Sequence, residues 1–179
     1  MRFQVGFPLS EPEDLDARLA ARGYVIHDPV STLVKPIEPV TMPEDVLLSD
    51  TPSADWLKVY LSNISPDRRP FAEAILARVP APCVFAEARR QGEAIATALG
   101  VLHESAVIAE CVGTSGAARR QGAASAVMRA LEAWGRSQGA RTIGLQAVTT
   151  NLPAQRLYAA LGYTAAGTYH YRFLEKGAR

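Results

Sequence analysis

Arg-Arg-Gln-Gly occurs twice in the chain, at 89–92 and again at 119–122. Two cations, an amide and a glycine are what a phosphate-binding turn uses: charge to attract an anion, donors to hold it, and backbone bare enough to approach it. The second copy stands ahead of a helical stretch in which Ala123, Val127, Leu131 and Trp134 share one face, with Arg129, Glu132 and Arg136 elsewhere. The first N–H groups of a helix lack internal partners, and the helix dipole adds partial positive charge there. Gly122, Ala123 and Ala124 keep the turn free of bulk. A pyrophosphate can then rest on those N–H groups while Arg119 and Arg120 attract or bind it. The plain alternative is a loop with solvated arginines at a helix start. The first copy falls between two strand-like runs with no helix behind it. There the glycine is expected to serve a hairpin and the arginines to point into solvent, so the second copy alone is expected to bind.

Other chemistry is sparse. The chain has no Gly-x-x-x-x-Gly-Lys-Ser/Thr, and no Gly-x-Gly-x-x-Gly between a first strand and a helix. Cys83 and Cys111 sit in apolar runs without metal-ligand spacing, and both read as reduced core residues. No metal is expected. Glu110 is an acid inside the apolar run "SAVIAECVGT", alternating in phase with Val112 and Thr114. Two readings of it stand: a base held in a buried setting, or an exposed or ion-paired strand residue. His103 and Glu104 read as turn residues, and Glu87 and His170 are weaker candidates for a base.

The elements that position these residues follow from periodicity. From Pro82 onward, "CVFAEAR", "EAIATALGVLHE" and "SAVIAECVGT" form an antiparallel meander. A long helix ending at Gly139 follows, then the strand "TIGLQAVTTN", the short helix "LPAQRLYAALGY" with Asn151 as N-cap and Gly162 at its end, and the closing strand "GTYHYRFLE". The order β-β-β-α-β-α-β implies an α/β fold of the mixed α+β kind, a mostly antiparallel central sheet flanked by helices. Before about Pro80 the chain is broken by prolines. "EPEDLDARLAARGY", "SADWLKVYLSN" and "DRRPFAEAILARV" read as helices, the last with Phe71, Ile75 and Val79 four apart, and "STLVK" as a strand.

The 179 residues, 48% hydrophobic, suffice for a proper core. A net charge of +1, with no basic stripe and no long charge run, gives no case for nucleic acid or an acidic membrane surface. The N-terminal stretch has no uninterrupted apolar core of a leader, and no run approaches membrane-spanning length, so a cytoplasmic protein is expected.

Two motifs together carry a resemblance. Arg119-x-x-Gly122-x-Ala124 and, thirty residues on, Asn151-x-x-Ala154-x-x-Leu157-Tyr158-x-x-Leu161-Gly162-Tyr163 stand in the order and spacing of a known pair. From Pro82 to Phe173 the chain resembles the GNAT superfamily of acetyl-CoA-dependent N-acyltransferases. The resemblance implies that residues 119 to 125 (Arg119, Arg120, Gln121, Gly122, Ala123, Ala124, Ser125) wrap the coenzyme pyrophosphate. It implies that the backbone of Val112, Gly113 and Thr114 pairs with pantetheine, that Asn151 contacts the coenzyme near the second helix, and that Tyr158 protonates the departing thiolate. Glu110 is the base candidate, with ordered water as the other route. The family often has a proline two residues after the strand; here Gly116 stands in its place.

Acetyl-CoA is thus the expected cosubstrate, and the expected activity is direct acetyl transfer to a primary amine in a ternary complex. The acceptor is a small-molecule amine or a protein amine, and the protein a monomer or homodimer. A non-catalytic coenzyme A sensor or interaction module of the same fold is the other reading. Residues 81–179 are expected to form the catalytic domain. Residues 1–80 are expected to form a shortened first lobe or a cap that shapes the acceptor pocket.

Overall fold

Alternating apolar residues over 83–114 fold as the expected meander. The computed structural model describes residues 1–7 and 10–174. In chain order the elements are β1 (Arg2–Phe7), α1 (Leu15–Ala21), β2 (Tyr24–Pro36), β3 (Val46–Ser49), α2 (Ala54–Asn63), α3 (Arg69–Leu76), β4 (Cys83–Arg90), β5 (Glu93–His103), β6 (Ala106–Thr114), a 3₁₀ turn (Gly116–Ala118), α4 (Ala123–Ser137), β7 (Thr142–Val148), α5 (Leu152–Ala160) and β8 (Thr164–Leu174). The fold is mixed α/β, and from β4 onward the order is the expected β-β-β-α-β-α-β. Glu175, the last residue of the expected closing strand, lies outside the described residues. No helix among the described residues is long and apolar enough to cross a membrane.

Packing divides the chain into two units, one made of Met1–Lys35 with the chain from Leu145 onward, the other of Pro36–Gly144. In the second unit, β3, β4, β5 and β6 pair antiparallel in sequence order. Neighbouring residues of β5 show where its two faces go. Leu99 packs with Trp56 of α2 and Phe85, while a Cβ on Gly100 would sit 3.0 Å from Leu131 and 3.4 Å from Trp134 of α4. Because successive strand residues point to opposite faces, α2 and α4 cover opposite sides of this sheet. Trp56 is fully buried, and its indole N–H donates to the carbonyls of Ala86 at 3.0 Å and Ala98 at 3.3 Å. Ser53 caps α2 by accepting from the Trp56 N–H at 2.9 Å.

In the first unit β8 pairs antiparallel with β1 on one side and β2 on the other. Val5, Leu19, Leu33, Tyr158 and Tyr163 are buried there. Asp16 of α1 reaches β8, where His170 Nε2 lies 2.7 Å away and Arg172 makes two bonds at 2.8 and 2.7 Å.

Two expectations are corrected, and two short strands were not foreseen. The i, i+4 spacing of Phe71 and Ile75 marks the outer face of α3: they are 63% and 56% exposed, and Ala72 and Leu76 make the buried face. Glu132 lies on the buried side of α4 rather than the outer one. The short strands β1 and β3 carry too few alternating positions to be legible beside the prolines around them.

Candidate functional site

The first Arg-Arg-Gln-Gly copy forms the β4–β5 hairpin, as expected. Arg90 pairs with Glu93 across a two-residue turn in which Gln91 and Gly92 have φ of +51° and +86°. Two positive φ values match the right-handed twist of paired strands. Arg90 is exposed, as expected, and Arg89 is half-buried; what the expectation lacked is that both side chains are bonded to the protein. Arg89 donates to the buried Glu87 carboxylate, to the Gly92 carbonyl and, at 3.0 Å, to Asp55 at the start of α2. Glu87 also accepts from the Ser53 hydroxyl. Arg90 donates to the side-chain oxygen of Gln121, in the second copy. The two like tetrapeptides thus meet in space, a contact between residues 31 apart that the sequence reading did not foresee.

The second copy begins after β6. The Ser115 N–H donates to the Ile95 carbonyl at 2.9 Å, the 3₁₀ turn follows, and buried Ala118 anchors it. Arg119 and Arg120 are exposed, and Arg120 and Gly122 adopt left-handed φ of +61° and +84°. Gly122 is the N-cap of α4, and no side chain caps the helix. The first helical bond runs from the Ala126 N–H to the Gly122 carbonyl at 3.0 Å, so the N–H groups of Ala123, Ala124 and Ser125 come ahead of it. A Cβ on Gly122 would meet nothing within 4 Å, so the space over the turn is open. Unfilled N–H groups, the positive end of a 15-residue helix and two exposed guanidiniums fit the pyrophosphate of an acyl coenzyme.

β6 departs from simple alternation at its chemically important end. Leu99 pairs with Glu110 and Thr97 with Gly113, so two residues, Cys111 and Val112, stand opposite Ala98. Cys111 takes φ of +53°, and the Thr97 hydroxyl donates to its carbonyl at 3.2 Å. This bulge shifts the phase. Glu110 and Gly113 face the α2 side with Leu99 and Thr97, and Glu110 is not in phase with Thr114, contrary to expectation. A Cβ on Gly113 would lie 3.1 Å from the Asn63 side chain, so this glycine lets the end of α2 approach the strand. Val112 and Thr114 are half-buried.

Glu110 is exposed as a residue, yet burial of its carboxyl pushes its pKa above the ordinary glutamate value, with Arg68 acting more weakly in the opposite sense. Beside it the Cys111 thiol is pushed up to about 11, chiefly by burial, and the Tyr60 hydroxyl to about 12, by burial and then by Cys111. Tyr60 and Arg68 come from a proline-broken stretch without a motif and were not legible as site residues. Both cysteines are free thiols.

In the other unit Asn151 caps α5, accepting from the Ala154 N–H at 3.3 Å. Tyr158 is buried on α5, its ring edge-on to Tyr163 at 5.7 Å. His170 is bound into the Asp16 network.

Comparison with known proteins supplies the last observations. The family model described as Acetyltransferase (GNAT) family matches residues 48–163. A Bacillus subtilis (strain 168) protein named Uncharacterized N-acetyltransferase YobR is 32% identical over 128 residues, 68% of this chain. The chain spans about half of that relative's length, 50%. Among solved structures, a GCN5-related N-acetyltransferase from Kribbella flavida superposes with a TM-score of 0.67 at 21% identity, over 96% of this chain and 66% of its own. A functionally unknown conserved protein from Staphylococcus epidermidis ATCC 12228 gives 0.69 at 17% identity, over 96% and 71%. At these identities the structures speak for the fold.

Proposed function

The chain belongs to the acetyltransferase (GNAT) family, and we propose that it moves the acetyl group of acetyl-CoA to a primary amine by direct attack in a ternary complex. The observation that carries this reading is the open, uncapped start of α4 behind Arg119 and Arg120. When bound, the thioester supplies an electrophilic carbonyl carbon and a thiolate leaving group.

The chain's own residues do the rest. Arg119, Arg120 and the backbone of 121–125 hold the pyrophosphate. The backbone of Val112, Gly113 and Thr114 aligns the pantetheine arm, and an N–H of this strand polarises the acetyl oxygen. Glu110 takes a proton from the acceptor ammonium, which must become a neutral amine before it attacks; the raised pKa makes the carboxylate a better base than an ordinary glutamate. Tyr158, assigned by its place in the family motif, returns a proton to the thiolate. A phenol hydroxyl can serve as the proton donor to a departing thiolate. Asn151 adds a contact to the coenzyme beside α5. A route through an acyl-cysteine is disfavoured, because burial raises the pKa of both Cys83 and Cys111 and keeps each as the thiol.

The acceptor is a small-molecule amine or a protein amine, and residues 1–80 are assigned to shaping its pocket. Release of coenzyme thiol that depends on both acetyl-CoA and an added amine tests the reading.

A further inference from the structure

The side chain of Gln121 is engaged with the protein at both ends. Its oxygen accepts from Arg90, and its nitrogen donates to the Ala117 carbonyl at 2.9 Å. It therefore braces the 3₁₀ turn on one side and the β4–β5 hairpin on the other. The turn needs a brace. Gly116 leaves the loop backbone free, and a Cβ there would touch nothing within 4 Å. Arg120 holds a left-handed conformation that an L residue adopts only when its surroundings impose it. Beside the brace lies a cavity of about 590 Å³ lined by Lys58, Ser62, Arg90, Ile95, Ser115 and Gln121, so the turn borders open space there and buried Ala118 is its packed anchor.

We infer that Arg90, from the first Arg-Arg-Gln-Gly copy, is a positioning residue for the coenzyme turn: it holds Gln121, and through Gln121 it holds 119–122 in the shape that presents the α4 N–H groups. The inference rests on the coenzyme reading above. Arg90 and Gln121 are both exposed. An exposed pair adds little to global stability, so its loss loosens the turn and leaves the fold intact.

The test compares Arg90→Ala, Gln121→Ala, the double variant and Arg90→Lys by calorimetric titration with coenzyme A and with 3′-dephospho-coenzyme A. Thermal melts and acetyl-transfer kinetics accompany it, and Gly122→Glu serves as the control that blocks the turn itself. Either alanine variant is expected to weaken coenzyme A by roughly fivefold, the upper worth of an exposed contact of about 1 kcal/mol. The double variant is expected to be no weaker than the singles, because they break one link. Arg90→Lys should recover part of the loss. Acetyl-CoA KM should rise with kcat nearly unchanged, and Tm should hold within about 2 °C. If Arg90→Ala binds as wild type does while Gly122→Glu fails to bind, the brace is wrong and the coenzyme reading stands. If wild type binds no coenzyme A, both fall. Additive losses in the double variant, or a loss that vanishes with the dephospho compound, would show Arg90 acting on the ligand directly and overturn the positioning role.

Discussion

At Glu110 burial of the carboxyl raises its proton affinity more than Arg68 lowers it. A general base works only when deprotonated, so a raised pKa moves the acid limb of kcat/KM above the value of about 4.3 at which a free glutamate titrates. Glu110→Gln is expected to remove that limb and to cut turnover by roughly a hundredfold or more, the usual worth of a positioned base. An unchanged pH profile would move the base elsewhere, to Glu87 or to water. Tyr158→Phe keeps the ring packed against Tyr163 and deletes only the hydroxyl. Turnover is expected to fall about a hundredfold, with coenzyme affinity held. Turnover equal to wild type would strip Tyr158 of its role as acid.

Helix α4 meets β6 at Gly135, where a Cβ would come within 2.4 Å of Val107 and 3.1 Å of Ile37. Val107 is fully buried and has nowhere to go. Gly135→Ala gains about 1 kcal/mol of helix propensity and loses roughly 1–3 kcal/mol to overpacking. The clash should win, and Tm is expected to fall by several degrees in a thermal melt; a rise would mean that α4 and β6 slide apart easily. Much at this scale was legible. Alternation in β4, β5 and β6, the apolar face of α4 and the Asn151 cap follow from local sequence. What escaped depends on distant partners. Phe71 and Ile75 have helical spacing, but Ala72 and Leu76 are the buried pair, and Leu76 packs with Trp56, Phe85 and Leu99. The bulge at Cys111 carries no local signal, since nothing about a cysteine announces a left-handed φ. Arg90 and Gln121 are 31 residues apart, and no periodicity links them.

For the whole molecule, a net charge of +1 means that an anionic coenzyme is captured by local arginines rather than by a long-range field. Acid tolerance is set differently. The Arg172 guanidinium, and less strongly His170, hold the Asp16 carboxyl down at about 2 against the opposing effect of burial. A depressed carboxylate pKa adds stability that is present above the unfolded value of about 3.9 and is lost as pH falls toward 2. With the Asp16 side chain 26% exposed, this amounts to on the order of 1–2 kcal/mol. Asp16→Asn is expected to unfold in less urea than wild type at pH 7, with the gap closing below pH 4; a gap constant with pH would deny the charge its part. The central claim is catalytic. Its most direct measurement is coenzyme thiol release from acetyl-CoA by the wild-type protein against a panel of amines, spanning amino acids, polyamines, aminoglycoside-like amines and peptides with free N-termini or lysines. At least one amine is expected to release one thiol per N-acetylated product, with the rate falling in Glu110→Gln and Tyr158→Phe. Coenzyme A that raises Tm while no amine lifts thiol release above the enzyme-free rate would contradict it and leave a binding protein.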